Sequence, residues 1–77
     1  MSENYLSRLF HNETGMSISD YILHKRLNMA KKLLIQTNMS ISGIGETVGY
    51  ETTAYFIRLF KRELGMTPKE YRKQMRI

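Results

Sequence analysis

The chain carries one segment twice. Tyr5-Leu6-Ser7-Arg8-Leu9-Phe10, followed by Glu13-x-Gly15-Met16, returns fifty positions later as Tyr55-Phe56-Ile57-Arg58-Leu59-Phe60, followed by Glu63-x-Gly65-Met66. The correspondence runs on, with Ser17 to Tyr21 answering Thr67 to Tyr71. A repeat at fixed spacing means that one supersecondary unit is used twice, and that constrains the fold before any other property. Each copy has apolar residues at helical spacing, an arginine off the apolar stripe and a glycine stop. Two copies of one helical reader, joined by a long helix, fit a partner that itself repeats, and DNA is such a partner.

Seventy-seven residues allow one small domain with a thin core. There are no cysteines, hence no disulfide and no thiolate metal site. One proline and 42% apolar residues fit a folded, helix-rich chain. No apolar run is long enough to span a bilayer and no secretion signal is evident, so the expected compartment is the cytoplasm. A net charge of +5 and a pI near 9.8 favour polyanions or an anionic membrane surface.

Punctuation along the chain predicts five helices and no strand. Residues 2–14 form the first, capped by Ser2, with Leu6, Leu9 and Phe10 as its stripe and Gly15 as its stop. Ser17 caps a second helix running to about Gln36, with Asp20 reaching back in a variant of the capping box. Its apolar arc, from Ile18 through Leu23, Leu27 and Ala30 to Ile35, is broader than one contact face needs, as for a helix packed at both ends. Its length, about 30 Å at 1.5 Å per residue, is close to the roughly 34 Å of one DNA turn. Ser40 caps a third helix over residues 41–48, with Ile41, Ile44 and Val48 inward. A turn at Gly49-Tyr50-Glu51 leads into a fourth, from about Thr52 to Leu64, with Phe56, Leu59 and Phe60 inward and Gly65 as its stop. Thr67-Pro68-Lys69-Glu70 opens a fifth, with a threonine cap, proline at the first position and glutamate at the third. Arg72, Lys73 and Arg76 then form a basic tail. The division expected is a recognition-type helix over residues 1–16, a connecting helix over 17–37 and a complete helix-turn-helix with its C-terminal helix over 38–77.

A short helix, a tight turn with glycine and a second amphipathic helix make a helix-turn-helix, and residues 40–64 fit it. The second helix of such a unit lies in the major groove, its N-terminal residues at base edges. With Phe56, Leu59 and Phe60 inward, Thr53, Ala54, Ile57, Arg58 and Lys61 share the outward face. Arg58 offers a bidentate fork to guanine, Ala54 and Ile57 suit a thymine methyl, and Thr53 suits a base or a phosphate. Lys61 and Arg62, further along, suit phosphates. The repeat carries this logic to Asn4, Ser7, Arg8 and His11, which match Ala54, Ile57, Arg58 and Lys61. Asn4 suits adenine, Arg8 suits guanine or phosphate, and His11 takes the phosphate position.

Competing readings are weaker. Arg58 could instead pair with Glu51 or Glu63, but the repeated arginine argues against a chance ion pair. Tyr5 and Tyr55 read as half-buried structural rings, Arg26 as a structural ion-pair former, and Lys25, Lys31 and Lys32 as a solvated face. His11 and His24 have no ligand companions, so no metal is expected. No paired carboxylates or activated nucleophile are evident, so neither enzyme activity nor a cofactor is expected. A basic amphipathic helix lying on a membrane or in a protein groove is the rival class. It requires one basic face opposite one apolar face. Residues 17–36 instead mix Asn28 and Gln36 among the lysines.

The chain resembles the C-terminal DNA-binding domain of the AraC/XylS family of bacterial transcription regulators. The likeness rests on Tyr5-Leu6-Ser7-Arg8-Leu9-Phe10, Arg26-Leu27-x-x-Ala30-x-x-Leu33-Leu34, Val48-Gly49-Tyr50, Tyr55-Phe56-x-Arg58-x-Phe60-Lys61 and Gly65-Met66-Thr67-Pro68-x-x-Tyr71-Arg72. It implies an all-α fold of homeodomain-like three-helix units bridged by a long helix. It also implies recognition helices that read successive major-groove segments of double-stranded DNA in the bacterial nucleoid, with RNA polymerase as a further partner. Against that pattern the first unit is incomplete, since only Met1 to Asn4 precede its reader, and a truncated domain is expected. Leu6, Leu9 and Phe10 then lack their flanking helices, which predicts fraying or self-association through the exposed first helix. Two further departures are Ile57, where a small polar residue is commoner, and Gly43 and Gly45 inside the third helix. Each interior glycine costs about 1 kcal/mol relative to alanine.

Overall fold

The computed structural model describes residues 15–76. The expected helix over 2–14, with its stripe and its candidate contacts Asn4, Ser7, Arg8 and His11, lies outside the described residues. Within them are four helices and no strand: α1 over Ile18–Gln36, α2 over Ile41–Thr47, α3 over Thr53–Leu64 and α4 over Pro68–Met75.

Each helix starts at a side-chain cap that satisfies an otherwise orphaned N–H. Ser17 Oγ accepts from Asp20 N at 3.0 Å, Ser40 Oγ from Gly43 N at 2.9 Å, and Thr52 Oγ1 from Tyr55 N at 3.3 Å. Thr67 completes a reciprocal box. Its Oγ1 accepts from Glu70 N, and its own N–H donates to Glu70 Oε1 at 2.8 Å. At Ser17 only the forward half of such a box forms, because Asp20 is one methylene shorter than the glutamate that closes the other. Gly65, at φ 79°, ends α3, and its N–H donates to Lys61 O.

The core gathers Leu27, Ala30 and Leu34 of α1, Ile44 of α2, Val48, and Phe56 and Phe60 of α3. Leu23, Leu33, Met39, Ile41, Tyr50, Leu64 and Tyr71 pack around it. Full burial of side chains this size contributes about 1.5–3 kcal/mol each, so a core of this size suffices to fix a small unit. Helices α1 and α3 each lie against both α2 and α4. An aromatic series crosses the unit: Tyr50 stacks on Phe56 at 5.9 Å, Phe56 meets Phe60 edge-on at 5.9 Å, and Phe60 meets Tyr71 edge-on at 5.6 Å. The apolar arc of α1 is wider than the surface these helices cover. Tyr21, Ile22, Met29 and Ile35 remain exposed.

Three expectations change. Gly45 of α2 is not a simple helix defect. A Cβ on Gly45 would stand 2.9 Å from Cδ2 and 3.1 Å from Cγ of Phe56, so the missing side chain is what lets α3 approach. Arg26 makes no ion pair among the described residues. Its Nη1 reaches Gly49 O at 3.4 Å and its Cζ lies 5.1 Å from the Tyr50 ring centroid. Gly49, at φ 108°, takes a conformation that side chains rarely adopt, and the guanidinium occupies the space a side chain there would need.

The third change concerns the basic tail, which is largely a clamp. Arg72 Nε donates to Leu34 O at 3.0 Å, and its Nη2 donates to Thr37 O at 3.2 Å and Met39 O at 2.7 Å. Arg76 Nε donates to Ile35 O at 3.2 Å and its Nη1 to Asn38 Oδ1 at 3.0 Å, while Nη2 reaches Thr37 O. Helix α1 has no basic residue in its last turn. Arg72 of α4 and Arg76, which caps its C-terminus, supply the donors and positive charge that a helix C-terminus attracts.

Candidate nucleic-acid interface

Helix α3 is strongly amphipathic. Phe56, Leu59 and Phe60 are buried, Ala54, Arg58 and Lys61 are exposed, and Thr53 and Ile57 are half-buried at the edge of the same outward face. Burial of one side thus fixes which residues a partner meets. The preceding α2 and the turn through Gly49 hold α3 by its N-terminal half. Gly45 abuts Phe56, Tyr50 stacks on Phe56, and Thr53 Oγ1 donates to Ser42 Oγ at 3.1 Å.

The charges on this face are free to act. Among the described residues Arg58 has no ion pair, and Glu63, its proposed competitor partner, is taken by Arg62 through Nε to Oε2 at 3.2 Å. That pair is mostly exposed on the arginine side. Such pairs contribute about 0–1 kcal/mol, so a phosphate can displace it. Arg58 and Arg62 also flank a shallow concavity lined with Tyr55 and Leu59. Tyr55 is 48% exposed and meets Tyr50 edge-on at 5.8 Å. It is therefore a candidate surface residue where the sequence suggested a half-buried ring. Ser42 is the other residue that sequence reasoning missed. Its place beside Thr53 depends on how α2 crosses α3, and no local pattern carries that.

The structure thus brings together Thr53, Ala54, Ile57, Arg58, Lys61 and Arg62. The four counterparts in the first repeat lie outside the described residues. Lys25 and Lys32 line a second shallow concavity with Asn28 and Met29 on α1. Among the described residues no three His, Cys, Asp or Glu side chains gather as a metal site, and no helix is long and apolar enough to cross a membrane.

A short capped helix, a glycine turn and a second helix with a basic outward face define the helix-turn-helix class. Comparison with known proteins agrees. Residues 1–74 match the family model described as a helix-turn-helix domain. YtdP of Bacillus subtilis (strain 168), an uncharacterized HTH-type transcriptional regulator, is 44% identical over 73 residues, which are 95% of this chain and 10% of YtdP. The chain therefore spans about a tenth of that relative. The C-terminal domain of AraT, a response regulator from Geobacillus stearothermophilus, superposes with a TM-score of 0.96 at 38% identity, over 100% of this chain and 64% of that one. The DNA-binding domain of the global transcriptional factor AdpA, solved with a target DNA, has a TM-score of 0.89 at 26% identity, over 96% of this chain and 67% of that one. The chain belongs to the AraC/XylS-type family of helix-turn-helix transcription regulators.

Proposed function

We propose that the chain binds double-stranded DNA sequence-specifically as part of a bacterial transcription regulator, with α3 in the major groove. The observation that carries this is the outward face of α3, where Arg58, with no ion pair among the described residues, stands between Ala54 and Lys61 on a helix fixed by three buried side chains. Arg58 reads a guanine through its donor fork, Ala54 and Ile57 meet thymine methyls, and Thr53 contacts an adjoining base. Lys61 and Arg62 hold phosphates and set the register. Asn4, Ser7, Arg8 and His11 form the corresponding face of a first reader on a neighbouring groove segment. RNA polymerase and self-association through the first repeat are further proposed partners, and the nucleoid in the bacterial cytoplasm is the proposed site of action.

The test is Arg58→Ala assayed on sites selected from randomised DNA. The expected loss is about 1–3 kcal/mol, with relaxed preference at one base pair. An unchanged affinity and an unchanged selected sequence would refute the reading face.

A further inference from the structure

Resting on that reading of α3, we propose that Tyr55, with Arg62 and Arg58, holds a backbone phosphate of the duplex in the concavity that these side chains line. The three residues and Leu59 form a shallow notch along one flank of the helix. At about 3.6 residues per turn, Ala54, Arg58 and Lys61 occupy the middle of the outward face. Thr53 and Ile57 fall on one flank of it, and Tyr55 and Arg62 on the other. Helix α2 lies beside the Thr53 flank, where Ser42 Oγ and Thr53 Oγ1 are 3.1 Å apart. A recognition helix seated in the major groove has base edges ahead of it and a wall of phosphates on either side. The first helix of the motif crosses one wall. The flank of Tyr55 and Arg62 meets the other.

The notch has the chemistry and the support for an anion. Leu59, at its centre, is buried. Around it stand two guanidinium groups and a phenol. All three are donors to a phosphate oxygen, which only accepts. The Tyr55 ring is held edge-on to Tyr50 at 5.8 Å, and Tyr50 itself packs against the Phe56 ring at 5.9 Å and the Arg26 guanidinium at 5.1 Å. The ring is thus seated before DNA arrives, while its hydroxyl makes no hydrogen bond among the described residues. Arg62 already holds an anion, since its Nε lies 3.2 Å from Glu63 Oε2. That pair is exposed on the arginine side, and exposed pairs are weak enough to exchange for a phosphate. Arg58 borders both the outward face and the notch, so the residue that reads a base adjoins the phosphate that sets the register.

The experiment starts with selection of bound duplexes from a randomised pool by the wild-type chain, Tyr55→Phe, Arg62→Gln and Arg58→Ala. One selected duplex is then titrated at several salt concentrations, intact and with a neutral methylphosphonate replacing one phosphate at a time. Tyr55→Phe keeps the ring against Tyr50 and removes the hydroxyl. It is expected to weaken every duplex about fivefold, the worth of one hydrogen bond. The selected sequence and the salt slope should stay as they were, since a neutral group releases no counterion. Arg62→Gln is expected to weaken every duplex and to lower the salt slope by about 0.9. One methylphosphonate position should weaken the wild type and lose part of its effect in both variants, which marks a shared contact. If Tyr55→Phe leaves the affinity unchanged, the phosphate contact is wrong. If it weakens binding but keeps the wild-type methylphosphonate profile, Tyr55 acts only through packing and the proposal fails. If it changes a selected base, Tyr55 meets a base edge and the notch is no phosphate site. In each of these cases an altered selection by Arg58→Ala leaves the reading face standing, and an unaltered one means that the reading face itself fails.

Discussion

Gly45 shows how one missing methyl group places a recognition helix. From the sequence it counts as a cost of about 1 kcal/mol in a short helix, and nothing local says otherwise. In the fold its Cα faces the ring and Cβ of Phe56, and an added Cβ would sit 2.9–3.2 Å from three of its carbons. These are not the free end of a flexible chain, so relief requires moving α3. Overpacking of this kind costs about 1–3 kcal/mol, which exceeds the propensity gain. Gly45→Ala is therefore expected to lower the stability by up to roughly 2 kcal/mol, read as a lower urea midpoint at unchanged slope. A midpoint that rises would show that α3 yields at no cost. Arg26 teaches a related lesson. Its position beside the apolar stripe marked it as structural, but its targets are a backbone carbonyl and a ring face. Sequence patterns name charged partners, whereas carbonyls are present at every position and therefore invisible as a signal.

Among the elements, helix starts were legible, and so was the end of α1 at Gln36, but the groups that satisfy that end were not. Ser17, Ser40 and Thr67 could be read as caps because capping is a local, three-residue interaction. The first helical residue after Thr52 was displaced by one, the usual ambiguity at a cap. The end of α1 has no basic residue in its last turn and borrows Arg72 of α4 and the capping residue Arg76, over separations of 33 to 41 residues. No periodicity announces such a contact. Arg72 is half-buried and serves three carbonyls. Hydrogen bonds involving a charged group are worth about 1.5–3 kcal/mol, and the carbonyls it leaves would be only partly hydrated. Arg72→Gln is expected to cost roughly 2–4 kcal/mol, and Arg72→Lys should recover less than half of that, because an ammonium lacks the planar fork. Full rescue by lysine would show that charge alone suffices.

Helix α4 also contains a titratable cap. The backbone hydrogen bond from Thr67 and that of its side chain, helped by Lys61, hold the Glu70 carboxyl below its ordinary value of 4.5. A lowered folded pKa means stability that is present above the unfolded value and lost as pH falls through the folded one. Wild type and Glu70→Gln should therefore differ most above pH 4.5 and converge in more acid solution. A difference that instead grows on acidification would contradict the assignment.

For the molecule as a whole, net charge overstates what is offered to DNA. The chain has 12 lysines and arginines, yet Arg26, Arg72 and Arg76 are engaged with backbone carbonyls of the fold. Composition could suggest a polyanionic partner, but it could not separate the cations that hold the protein together from those that face outward. That separation is measurable. Lys61→Ala is expected to reduce the slope of log affinity against log salt by about 0.9, the contribution of one neutralised phosphate. Arg76→Gln should lower stability and leave that slope as it was. Equal slope changes for the two would mean that Arg76 also reaches the backbone of the duplex. Ala54, Arg58 and Lys61 on the outward face of α3 were legible, since an inward stripe of three residues determines its complement, whereas the exposure of Tyr55 was not. The link from Ser42 to Thr53 was not, since it joins two helices whose crossing no sequence interval encodes.

The reach of Arg72 and Arg76 back to residues 34–39 has a consequence in time. On a ribosome, residues 18–64 emerge with the end of α1 still lacking the donors that satisfy it. The carbonyls of Leu34, Thr37 and Met39 find their partners only after α4 has cleared the exit tunnel. The recognition helix is thus made before the lock that secures its scaffold. A nascent chain interrupted between α3 and α4 would carry Thr53 to Arg62 on a unit whose Leu34, Thr37 and Met39 carbonyls still lack these donors. Synthesis of α4 supplies the donors that the end of α1 lacks until then.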